Sequence, residues 1–243
     1  MVISSKTNPT VKRVASLSEK KFRKLYGEFL VESVKAVDEC VAAGMDVTQI
    51  ICTENYAEKY DGALVVTDGL FERISTEKSP QGVLAAVKIP QKTIDAPNGC
   101  CLLLDGLQDP GNLGTVIRTA NAAGYTDIYL INCADAYSPK AIRASMGGLF
   151  YVNAYEADYD EVFSAIGKTP LICADMSGEN VFDFIAPEKF CLCIGNEGHG
   201  VSKVVAEKAL YTLRIPMRDT CESLNAAVSA AIAMYVLKNQ NLK

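Results

Sequence analysis

Apolar and polar positions follow two different rhythms along this chain, and the change of rhythm divides it. From Thr10 to Ala43 apolar residues recur at spacings of three to five, at Val11, Val14 and Leu17 and then at Phe29, Val34 and Val37, which predicts two helices with a break near Gly27. Short β-rich runs follow at Gln49 to Cys52, Ala63 to Thr67 and Gly82 to Ile89, so this part reads as a compact α/β unit. Pro90 to Gly99 (PQKTIDAPNG) concentrates proline and polar residues and reads as a linker. The expected domains are therefore residues 1–92 and 99–243. In the second, candidate strands at Cys100 to Leu104, Ile128 to Ile131, Leu171 to Ala174, Phe190 to Ile194 and Thr212 to Ile215, most of them apolar throughout, alternate with helical segments. Strands apolar on both faces belong to a parallel sheet covered by helices on either side. An alanine-rich helix over Ser223 to Leu237 ends the pattern.

Composition narrows the possible chemistry. At 243 residues, with 49% hydrophobic and 22% charged positions, the chain can bury a large core, and no apolar run approaches the roughly 18 residues that span a bilayer. The N-terminus has charges and no apolar core of a signal peptide, so a cytoplasmic protein is expected. The nine cysteines include no C-x-x-C pair, several lie inside apolar runs, and His199 is the one histidine, so no metal site is expected. The net charge of −5 is unevenly spread: Lys6, Lys12, Arg13, Lys20, Lys21, Arg23 and Lys24 face only Glu19 within the first 24 residues. Such a stretch either meets phosphates or forms a solvated helix face.

Three polar stretches sit at the mouths of apolar runs, where α/β proteins place ligand loops. In the first (NLGTVIRTANAAG), a helix starting near Asn112 turns Val116, Ala120 and Ala123 toward the sheet and Arg118 away from it. Asn112 can be a helix cap and Arg118 a solvated residue, or both can serve a ligand. In the second (IGNEGHGVS), Gly195, Gly198 and Gly200 permit close backbone approach around Glu197, which otherwise reads as an exposed turn residue. The third (IPMRDTCESLNAAVS) leads into the last helix, where Ser223 can cap it and the alanines can meet a helix of the same chain or of a partner. Gly106, Gly111 and Gly114 lack the G-x-G-x-x-G spacing, which argues against a nicotinamide dehydrogenase.

Taken in order, N-x-G-x-x-x-R-x-A-x-x-x-G at Asn112 to Gly124, I-G-N-E-G-x-G, and I-P-M with S-L-N-A-A-V-S closely resemble the SpoU (TrmH-type) RNA 2′-O-ribose methyltransferases. Ser138 to Phe150 (SPKAIRASMGGLF) and the patches Asn8-Pro9, Phe29 to Glu32 and Ser79 to Val87 resemble that family too, with Ser33 standing where many members carry glycine. The resemblance implies an α/β SPOUT domain with a parallel sheet and a deep trefoil knot, preceded by a small ribosomal-protein-like RNA-binding domain. It implies S-adenosylmethionine as cofactor, held at Gly195, Ile215 and Leu224, and catalysis by Arg118 with Asn112, Glu197, Ser223 and Asn225 arranging the arginine and the ribose. It further implies a homodimer acting on RNA, with ribosomal RNA the leading substrate and transfer RNA, or a non-catalytic RNA-binding or assembly role on the same fold, as alternatives.

Overall fold

A computed structural model describes residues 2–239. The N-terminal part contains α1 (Pro9–Ser16), α2 (Lys20–Tyr26), β1 (Glu28–Glu32), α3 (Val34–Ala42), β2 (Val47–Thr53), β3 (Leu64–Val66), α4 (Asp68–Ile74) and β4 (Val83–Lys88). Its sheet runs β1-β4-β2-β3, with β4 antiparallel to both neighbours and β2 parallel to β3. The helical reading of Thr10 to Ala43 needs correction: Glu28 to Glu32 form a strand buried along its whole length, and the helices around it number three. Gly27, left-handed at φ +61°, ends α2, and the five-residue run then pairs with β4. Pairing supplies hydrogen bonds and burial that helical periodicity cannot reveal.

Ser33 links β1 to α3 at φ +92°, a conformation that strains a side-chain-bearing residue, while its hydroxyl caps α3 through the Ala36 N–H at 3.3 Å. Ser33→Gly is expected to relieve about 1 kcal/mol of strain for a few tenths lost with the cap, raising the urea midpoint. An unchanged or lowered midpoint would show that the strain is absorbed elsewhere.

The C-terminal part contains β5 (Cys101–Asp105), α5 (Pro110–Ala123), β6 (Asp127–Ile131), α6 (Pro139–Ser145), β7 (Asn153–Glu156), α7 (Tyr159–Ile166), β8 (Leu171–Asn180), β9 (Cys191–Ile194), α8 (Lys203–Ala206), β10 (Tyr211–Arg214) and α9 (Ala226–Asn239). Its six strands are all parallel in the order β10-β8-β9-β5-β6-β7. The chain moves outward from β5 through β6 and β7, then crosses to the other side for β8, β9 and β10. A switch point therefore lies between β5 and β9, and a crevice opens beyond the carboxyl ends of those strands. The edge strands β7 (NAYE) and β10 (YTLR) are only partly buried and lack the unbroken apolar runs of β5, β6 and β9.

Helix α9 starts at Ala226, three residues later than its composition suggests, because Asn225 Oδ1 takes the N–H groups of Ala227 (2.9 Å) and Val228 (3.2 Å). Asn225 is thus the cap, in place of Ser223. Ala226, Ala227, Ala230 and Ala233 are buried against the same chain, and Tyr125 donates its hydroxyl to Met234 O at 3.2 Å where α9 meets the end of α5. The alanine face serves packing within the chain.

The two parts share contacts. Arg23 is 4% exposed and donates to Asp135 Oδ2 (2.7 and 3.0 Å) and to the carbonyls of Leu17 (2.8 Å) and Ser18 (2.9 Å). It belongs to an interface, not to a solvated basic stretch. Arg13 is likewise engaged by buried Glu28, whereas Lys6, Lys12 and Lys24 are exposed and make no ion pair among the described residues. Phe29 and Tyr137 pack across the same junction with ring centres 5.0 Å apart. Among the described residues no helix is long and apolar enough to cross a membrane.

Candidate active site

Leu104 and Ile194 are register partners at the ends of β5 and β9, so the loops that follow them emerge side by side. The β9 loop turns back sharply: Asn196 and Gly200 exchange backbone hydrogen bonds at 2.9 and 3.0 Å. Asn196 Oδ1 takes the N–H groups of Gly198 (2.8 Å) and His199 (3.1 Å), and its Nδ2 donates to Gly106 O at 2.7 Å, tying the β9 loop to the β5 loop. A Cβ on Gly195 would fall inside the backbone of Gly200 and Val201, which is why glycine stands there. Asn196 was not singled out by sequence reasoning, although it sits inside a recognised motif; its fourfold use becomes visible only once the two loops are adjacent.

Asp105, at the tip of β5 and 4% exposed, accepts the Ser202 N–H (2.8 Å) and the Tyr159 hydroxyl (3.0 Å). It anchors the far end of the glycine loop. Asp105→Asn exchanges two charge-assisted hydrogen bonds for neutral ones and forces the Tyr159 hydroxyl to accept where it donated, at a cost of about 1–3 kcal/mol. The expected result is weaker cofactor binding by titration calorimetry, by about 10-fold or more on that energy scale, in a folded protein.

A cavity of about 330 Å³ lies behind this loop, within the size range of small-molecule sites. Its walls include Leu192, Ile194, Leu213, Ile215, Met217 and Leu224, and Gly195, Glu197, His199 and Ser223 line it as well. Asp175 and Met176 reach it from residues 174–178 of β8, which loop out between the Cys173–Thr212 and Glu179–Leu213 pairings. Asp175 is held below the ordinary carboxylate range by the Ser177 N–H and hydroxyl.

Along the lip three polar side chains, from the first turn of α5, the β9 loop and the cap of α9, form one row. Asn225 Nδ2 donates to Asn112 Oδ1 at 3.0 Å, Asn112 Nδ2 donates to Glu197 Oε1 at 3.1 Å, and the Gln108 N–H approaches Glu197 Oε2 at 3.4 Å. The cap of α5 is Asp109, whose Oδ1 accepts the Asn112 N–H at 2.8 Å, so the Asn112 side chain is free for this role. Lys140, bonded to Asp109 Oδ2 at 2.6 Å, is the main cause that lowers the Asp109 carboxyl. Ser223 is exposed at the cavity and its hydroxyl makes no hydrogen bond among the described residues. Among the described residues His199 bonds through its backbone only.

Arg118 stands apart. It is exposed on α5, six residues beyond Asn112, and its guanidinium makes no hydrogen bond or ion pair among the described residues. Six residues advance a helix by about 9 Å and rotate it by about 240°, so Arg118 faces away from the row around Asn112. Burial pushes the Cys133 thiol up to about 11 and the Cys40 thiol up to about 12, whereas Cys221, two residues before Ser223, is exposed and reaches the Ser223 carbonyl at 3.4 Å.

Comparison with known proteins now decides the family. Residues 99–235 match the model of the SpoU rRNA Methylase family, and residues 8–85 match an MRM3-like substrate binding domain. The chain belongs to the SpoU rRNA methylase family. It is 32% identical to a 23S rRNA (guanosine(2553)-2′-O)-methyltransferase, RlmP, of Bacillus subtilis (strain 168), over 97% of this chain and 98% of that one. A 23S rRNA (uridine(2479)-2′-O)-methyltransferase of Streptomyces viridochromogenes is 31% identical over 94% of this chain and 88% of its own. The structure of the SpoU methyltransferase AviRb from Streptomyces viridochromogenes in complex with AdoMet superposes with a TM-score of 0.87 at 28% identity, covering 97% of this chain and 99% of the other.

Proposed function

We propose that the protein transfers the methyl group of S-adenosylmethionine to a ribose 2′-hydroxyl of ribosomal RNA in the cytoplasm, as a homodimer, with residues 1–92 binding the RNA and residues 99–243 binding the cofactor and carrying the chemistry. The observation that carries this reading is the Asn225–Asn112–Glu197 row on the lip of an apolar cavity, at the switch point of a parallel sheet.

The cavity suits the cofactor. Leu192, Ile194 and Leu224 offer apolar surface for a nucleoside, the Gly195 turn allows close backbone approach, and Asp175 and Glu197 place carboxylates in a site for a cationic ligand. Gly195, Ile215 and Leu224 hold it in this account, with the C-terminal segment threaded as the family's knot. S-adenosylmethionine, when bound, supplies a methyl group already activated by positively charged sulfur. Glu197 holds the amide of Asn112, and Asn225 holds its oxygen, so the lip is set before RNA arrives. Ser223 offers a free hydroxyl to the ribose.

Arg118 acts by charge. A guanidinium stays protonated near neutrality and is a poor proton acceptor, but its planar donors fit a phosphate or a developing alkoxide. Because it faces away from its own chain's row, Arg118 serves the site of the partner chain in the dimer. Sedimentation and transfer of labelled methyl groups to ribosomal and transfer RNA test the reading together. A dimer that labels ribosomal RNA supports it; label confined to transfer RNA, or cofactor binding without transfer to any RNA, contradicts it. The two ribosomal relatives are named for a guanosine and a uridine, so fold and chemistry do not fix the nucleotide.

A further inference from the structure

Methylation of a ribose hydroxyl leaves the base untouched, so the nucleotide must be chosen by contacts away from the reacting atoms. A second cavity, of about 240 Å³, lies where the two parts of the chain meet. Ile142 and Phe150 are buried in its floor, with Ala36 of α3 half-buried beside them. Lys35, Gln81 and Arg143 are exposed at its rim, and Glu39 and Glu77 stand half-buried in the wall.

This cavity and Arg118 flank one turn. A Cβ on Gly147 would collide with the Glu39 carboxylate, and one on Gly148 would come within 3.0 Å of Arg118 Cα. Successive Cα atoms are about 3.8 Å apart, so the Glu39 carboxylate and the Arg118 backbone lie at most about 12 Å apart. The cavity's shape is fixed from both sides. Buried Glu32 accepts the Ser75 hydroxyl (2.5 Å), the Thr76 N–H (3.0 Å) and the Thr76 hydroxyl, and Arg143 reaches across to donate to Thr76 Oγ1 at 2.8 Å. The Glu39 carboxylate, by contrast, accepts no hydrogen bond and makes no ion pair among the described residues, so an acceptor-only group is left over in the wall. Ser33 and Met146, both cavity-lining, hold positive φ of +92° and +46°, and backbone strain of this kind gathers at ligand sites.

We propose that this cavity receives an unstacked base of the substrate RNA, from a nucleotide flanking the methylated one, with its N–H edge on Glu39 and its phosphate at Lys35 and Arg143. An apolar floor, an edge-reading polar group and a cationic rim are what recognition of a splayed-out base requires. The proposal rests on the RNA-methylating reading of the neighbouring site.

The test compares binding of a large-subunit ribosomal RNA fragment, intact or made abasic at each position flanking the methylated nucleotide, to the full-length protein and to Ala36→Phe and Glu39→Gln. Ala36→Phe fills the cavity. It is expected to weaken binding of the intact fragment by about 10-fold, the scale of one stacked base, with unchanged cofactor affinity and melting temperature. At one flanking position abasic substitution should weaken wild-type binding by a similar factor and leave Ala36→Phe indifferent. Glu39→Gln, which keeps size and removes charge, should blunt the base preference at that same position. Wild-type affinity in both variants, or losses that are equal at every flanking position, would overturn the proposal. Should the wild-type protein methylate no RNA, the enzymatic reading fails by itself; binding of unfractionated large-subunit RNA by the wild type and the two variants still decides the cavity.

Discussion

Arg118→Ala is expected to lower methyl transfer by about 10²–10³-fold, the usual loss when one preorganised charge-stabilising donor is removed from a reaction centre. Cofactor affinity and stability should not change, because the Arg118 guanidinium is exposed, bonds to nothing among the described residues and does not line the cofactor cavity. Arg118→Lys separates two roles: partial activity indicates that charge suffices, whereas activity as low as in the alanine variant indicates that the planar fork is needed. Steady-state transfer at saturating cofactor measures both. Near-normal turnover in Arg118→Ala would remove the arginine from the reaction.

Gly195→Ala should abolish cofactor binding. The added methyl group would occupy the space of the Gly200 and Val201 backbone, so the turn carrying Glu197 must shift out of the geometry that lines the cofactor cavity. Calorimetry with S-adenosylmethionine reads the loss, and thermal melting checks that the sheet is intact. The two variants also test the dimer. If Arg118 serves the partner's cavity, mixing Arg118→Ala chains with Gly195→Ala chains restores activity, because a mixed dimer holds one intact cavity faced by one intact arginine. Activity that stays absent in verified mixed dimers would place the arginine at its own chain's cavity.

What the sequence revealed depended on whether the signal was local. Strands β5, β6 and β9 read clearly, since burial on both faces makes them apolar throughout. Strand β1 did not: EFLVE between two helices continues a helical spacing, and only its pairing with β4 makes it a strand. The three motif stretches marked Asn112, Glu197 and Asn225 by residue type, but their joining depends on β5 lying beside β9, which local pattern does not encode. The same is true of Arg23, whose partner Asp135 is 112 residues away. The caps Asp109 and Asn225 displaced Asn112 and Ser223 from those roles because several capping residues crowd each helix start and geometry alone chooses among them.

The measurement that bears most directly on the central claim is the identity of the methylated product. Ribosomal RNA lacking the modification is incubated with the protein and labelled S-adenosylmethionine, digested completely, and its nucleosides separated. The account predicts label in a single 2′-O-methylated nucleoside, stable to alkali as a dinucleotide and absent with Arg118→Ala. Label in a base-methylated nucleoside, or no label in RNA despite cofactor binding, would contradict it.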